Sequence, residues 1–134
     1  MGASGKIDTT RAGFRAVNGE VGAIALGDAV YKNVVSGEMV LADADALLSA
    51  RVEGLVIDLS IASGAYGRFV SEGRLDGAGS GWAIGAPVYL STSGTSGATL
   101  TQTAPSGSGK VLVRVGTAIT PTDLLIEIES PVEL

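Results

Sequence analysis

Three groups of residues have types and spacings that could do chemistry. Gly107-Ser108-Gly109-Lys110 is similar to the end of a phosphate-binding loop. The full pattern needs glycine five residues before Gly109 and a hydroxyl after the lysine; Ala104 and Val111 stand there, so a metal-binding hydroxyl is missing and a loop entering a strand explains the run. Asp43 and Asp45 could open a calcium loop, but the next five residues are Ala46, Leu47, Leu48, Ser49 and Ala50, and none is a carboxylate. Capping of a short helix accounts for both aspartates. Glu127 and Glu129 share one side of a strand by its period of two, as a glycosidase acid/base pair could. A solvated strand face predicts the same spacing.

What is missing weighs more. The chain has no histidine and no cysteine. Without histidine there is no Ser-His-Asp triad and no histidine metal face. Without cysteine there is no thiolate nucleophile, zinc thiolate or disulfide. The chain therefore reads as a non-enzyme, with no catalytic residues, metal or cofactor expected. A net charge of -5 argues against a nucleic-acid partner. No apolar run reaches the length of a membrane span, and the start, MGASGKIDTT, has no apolar core of signal-peptide length, so no membrane partner is expected. Charged residues make up only 17%, a hint that a partner covers part of the surface.

The elements are short strands between tight turns; 20 of the 134 residues are glycine. The expected strands cover 21–26, 28–35, 38–42, 52–59, 67–71, 87–91, 99–103, 110–119 and 123–129, with Pro131 ending the last. Glu72-Gly73 reads as a break. Residues 43–50 (DADALLSA) read as the one short helix, with Leu47 and Leu48 facing the core. The expected architecture is all-β: a single compact β-barrel, β-tulip-like or sandwich domain over 23–134, preceded by an extended N-terminal arm over 1–22.

The arm carries Lys6, Arg11 and Arg15 against Asp8 and Glu20, so it is weakly basic on an acidic chain. Two readings stand: a frayed terminus with a first strand, or an arm that docks on an acidic neighbour. Trp82, flanked by Gly81 and a glycine-rich loop, is either a core plug or a subunit-interface anchor.

The chain also echoes itself. Gly27-Asp28-Ala29-Val30-Tyr31 matches Gly85-Ala86-Pro87-Val88-Tyr89, and Gly54 and Gly116 each sit within a following apolar strand. The echo suggests a two-fold internal repeat over about 27–73 and 85–130.

The segments GDAVYKNVVSGEMVL (27–41), VEGLVI (52–57), ASGAYGRFVSEG (62–73), GAPVYL (85–90) and VRVGTAI (113–119) together resemble the small capsid decoration, or cement, proteins of tailed bacteriophages. The resemblance spans about Val21 to Ile128 and rests on glycine and strand spacing. It implies a compact β domain, often a homotrimer, on the outer surface of the virion head, where it bridges major capsid protein subunits. Ile7, Arg11, Phe14, Arg15 and Val17 in the arm are then the capsid-contact candidates. Removal of residues 1–17 is expected to leave a folded domain that no longer binds heads. The competing expectation is a β binding domain of a head fibre, tail or tail fibre.

Overall fold

The computed structural model describes residues 13–134, within which the chain forms fourteen short strands and no helix. A first sheet holds β1 (Gly13–Val17), β3 (Ala29–Lys32), β4 (Met39–Leu41), β5 (Gly54–Val56) and β7 (Tyr66–Val70), in the order β1-β7-β5-β3-β4. A second holds β8 (Glu72–Leu75), β9 (Pro87–Leu90), β10 (Leu100–Thr101), β12 (Arg114–Ala118) and β13 (Leu124–Glu127), in the order β10-β9-β12-β13-β8. Two ribbons complete the set: β2 (Ile24–Ala25) with β6 (Ser60–Ile61), and β11 (Val111–Leu112) with β14 (Val132–Glu133). Every strand pair is antiparallel, and neither five-stranded sheet closes on itself, so the expected barrel is not formed.

The two sheets have the same topology. Replacing β1, β3, β4, β5 and β7 by β8, β9, β10, β12 and β13 converts one strand order into the other. The correspondence extends to residues. Val30 lies opposite Gly54, and Val88 opposite Gly116. Phe14 lies opposite Phe69, and Leu75 opposite Leu124. Gly27 and Gly85 both take positive φ, 87° and 83°, at the turn that feeds β3 or β9. Each repeat therefore includes one strand more than the sequence echo shows, β1 in the first and β8 in the second. Glu72-Gly73 opens β8 instead of breaking the chain, because its backbone pairs with Glu127 and Ile126.

The repeats stack in the same sense. Ala29, Leu55 and Val70 of the first sheet share one core with Val88, Leu90, Ala118, Leu124 and Ile126 of the second. Val30, Val56 and Phe69, from the opposite side of the first sheet, form a separate cluster with Ile24 and Ile61 of the β2–β6 ribbon. Val88 and its counterpart Val30 thus lie in different cores. A two-fold axis between the sheets would have put them in the same one.

The expected helix at 43–50 is absent because local and long-range bonds claim its backbone. Asp43 Oδ1 accepts from the Asp45 N–H (3.0 Å) and the Ser49 hydroxyl (2.8 Å), and the Asp43 N–H donates to the Ser49 carbonyl (3.1 Å), closing the segment on itself. The Ala44 N–H bonds to the Ser91 carbonyl, and the Ala44 carbonyl accepts from Val111 N–H, so both groups are used across the fold. Ala42, Ala44 and Ala50 are buried, whereas Leu47 and Leu48 face solvent, against the sequence expectation.

Candidate interaction surfaces

Two of the arm candidates, Ile7 and Arg11, lie outside the described residues. The other three sit on β1, an edge strand paired with β7. Alternation sends Phe14 and Ala16 to the apolar side of the first sheet and Arg15 to the other. The Phe14 ring stacks on Phe69 with centroids 5.5 Å apart and planes 19° from parallel. The Arg15 guanidinium lies 5.6 Å from the centroid of the exposed Tyr66 ring, a cation–π contact on the surface. Val17 is half-buried opposite Tyr66. Residues 13–17 are thus built into the sheet. Removing residues 1–17 would strip an edge strand and uncover Phe69, so a truncation aimed at the arm must stop before Gly13.

Trp82 is half-buried against the core shared by the two sheets. Its backbone N–H donates to the Pro121 carbonyl (3.1 Å), and its ring lies so close to Gly79 that a Cβ there would meet it at 2.2 Å. Glycine at 79 is what lets the indole lie flat on the loop. The position is the counterpart of Ile24, whose strand covers the other cluster.

Asp45, Glu127 and Glu129 each lie in an ion pair. Arg114 reaches Glu127 (3.9 Å) and Glu129 (3.3 Å) together, and it also bonds to the Thr117 hydroxyl. Asp45 accepts from Lys110 Nζ (2.5 Å), so the aspartate of the supposed calcium loop and the lysine of the supposed phosphate loop neutralise each other. Among the described residues, no group of three His, Cys, Asp or Glu side chains is placed to hold a metal ion.

Asp123 is the clearest electrostatic feature. Its carboxylate accepts from the Gly77 N–H (3.0 Å), the Thr122 hydroxyl (3.0 Å) and Arg74 Nη2 (3.0 Å). The Gly77 N–H above all, then the threonines and Arg74, hold its pKa below the ordinary carboxylate value. Above that ordinary value Asp123 is ionised in both folded and unfolded chains, and its contribution is complete. As pH falls the unfolded chain takes the proton first, and the contribution is lost on the way down to the lower folded pKa. Asp123→Asn should therefore flatten the acid limb of stability below the ordinary carboxylate pKa and leave its slope at neutral pH unchanged. Urea unfolding across that range checks this; identical acid limbs for the two proteins would show that the bonds to Asp123 carry no acid sensitivity.

The sequence passes over one surface. Asn33 organises the tip of the β3–β4 hairpin: its Oδ1 accepts from Val35 N–H (2.9 Å) and Ser36 N–H (3.2 Å), and its carbonyl accepts from Gly37 N–H (2.8 Å). The tip presents Val34 and Val35 to solvent, 81% and 92% exposed. Val34 lines one groove with Tyr31, Lys32, Leu48, Arg51 and Glu53. Adjacent valines between Asn33 and Ser36-Gly37, inside a turn instead of a strand, are the sequence signal for it.

No protein-family model matches the chain, and no curated protein is significantly similar to it.

Proposed function

We propose that this chain is a capsid decoration protein of a tailed bacteriophage, a non-enzymatic component that binds the outer surface of the head and ties major capsid protein subunits together, acting as a homotrimer. The observation that carries the reading is the run of glycine-spaced strand segments from Val21 to Ile128, which resembles such proteins. Those segments coincide with strands β3, β4, β5, β7, β9 and β12. The finer architecture proposed is a sandwich of two stacked sheets. A doubled β scaffold whose two sheets share one apolar core suits a part that must resist strain from outside a pressurised shell. Its chemistry would be burial of apolar surface at many symmetric sites, so modest single contacts compound.

The test is the copy number of the protein in purified virions relative to the major capsid protein. A ratio near one, or a fixed large fraction, is expected. A handful of copies per particle would assign the chain to a tail or fibre instead, and absence from virions would overturn the virion reading altogether.

A further inference from the structure

The two repeats carry equivalent hairpins, β3–β4 and β9–β10, and their tips differ in chemistry and in what they touch. The second tip, within 91–98 (STSGTSGA), is polar and fastened to the first repeat: Ser96 Oγ donates to Asp28 Oδ2 (2.6 Å) and Gly97 N–H donates to Asp28 Oδ1 (2.8 Å). The first tip presents two exposed valines, and its Asn33 bonds hold it in one shape. Val34 and Val35 leave most of their surface in solvent, which opposes valine there. Leu48, 58% exposed, extends the apolar area across the groove. Lys32 and Arg51 flank it, and among the described residues neither forms an ion pair. Glu53 lines the same groove, so beside the exposed valines two cations stand against one carboxylate, a locally positive balance on a chain of net charge -5.

From this juxtaposition we infer that the β3–β4 tip, with Leu48, is the surface that seats on the major capsid protein, at an apolar depression bordered by carboxylates. The inference rests on the decoration reading and moves its contact from the arm to this tip. The valines supply the desolvated centre and Lys32 and Arg51 the steering and register, the division of labour seen in protein interfaces generally.

The experiment uses heads of the parent virus stripped of this protein, and measures rebinding of the full chain. Wild-type protein should bind, and binding should weaken as salt rises. V34S/V35S should weaken binding by at least about tenfold while leaving thermal unfolding unchanged, since both side chains are exposed. K32E/R51E should weaken binding and lose its salt dependence. Ile84→Ser, at another exposed apolar residue, should bind as wild type does. Wild-type binding with an equally tight V34S/V35S, or an equal loss from Ile84→Ser, would overturn this inference and leave the decoration reading intact. Failure of the wild-type protein to bind would overturn both.

Discussion

Gly27→Ala should destabilise the protein by about 4 kcal/mol, while Gly85→Ala at the equivalent turn costs about 1 kcal/mol. The two glycines have nearly the same positive φ, so both alanines suffer the same left-handed strain. Their surroundings differ. A Cβ at Gly85 meets nothing within 4 Å. A Cβ at Gly27 lies 2.4 Å from the Ala78 carbonyl oxygen and 2.9 Å from its Cα. That backbone cannot easily withdraw, because its neighbours are fastened: Gly77 N–H to Asp123 (3.0 Å) and Gly79 N–H to the Thr122 carbonyl (3.1 Å). The repeats are thus in backbone contact at Gly27, and the alanine must push them apart. Urea denaturation of both variants, with midpoints compared at equal slope, measures the difference. Equal losses would mean that the Ala78 loop yields freely and that the repeats are not held together there.

The parts of the fold legible in the sequence are those set by local rules. The Gly-x-x-Val-Tyr echo marks two turns and two strands because left-handed glycine and the first strand residues are short-range requirements. Strand positions followed from alternation, although most strands are shorter than their apolar runs, since pairing ends where the partner strand ends. β8 was hidden because Glu72, Gly73 and Arg74 carry no apolar alternation; only Leu75 points inward, and the strand exists through its backbone ladder to β13. The helix at 43–50 failed because capping logic is local, whereas Ala44 spends its backbone on Ser91 and Val111. The sense of stacking was not legible at all, because Val30 and Val88 are the same residue in the same pattern yet face different cores. For the interaction surface, Phe14 beside two arginines reads equally as a docking residue or an edge-strand residue. The Phe69 ring it stacks on is far away in sequence and decides the matter.

The joint between the repeats has a polar centre, and Asp28→Ala should cost about 3 kcal/mol there. Asp28 is buried, and its carboxylate accepts from Ala25 N–H (2.8 Å), Ser96 Oγ (2.6 Å) and Gly97 N–H (2.8 Å). One of these donors lies in its own turn and two lie in the β9–β10 hairpin of the other repeat. Removing the carboxylate leaves two backbone N–H groups without an acceptor in a part-buried site, which costs more than the bonds themselves contribute. Asp28→Asn should lose about half as much, because an amide keeps one acceptor but turns a donor toward a donor. Beside it, Thr99 Oγ1 accepts from the buried Ala29 N–H (2.9 Å), and Thr99→Val should cost about 1 kcal/mol by the same logic. The cost should also be localised. Hydrogen exchange at Ala25 and Gly97 should speed up in Asp28→Ala far more than at Phe69 in the separate β2–β6 core, since the lost bonds close the joint and not that cluster. Coupling between Asp28→Ala and Ser96→Ala in a double-mutant cycle isolates the cross-repeat bond. If the two changes add without coupling, the Ser96 hydroxyl contributes nothing to the joint and Asp28 reaches the hairpin through the Gly97 N–H alone.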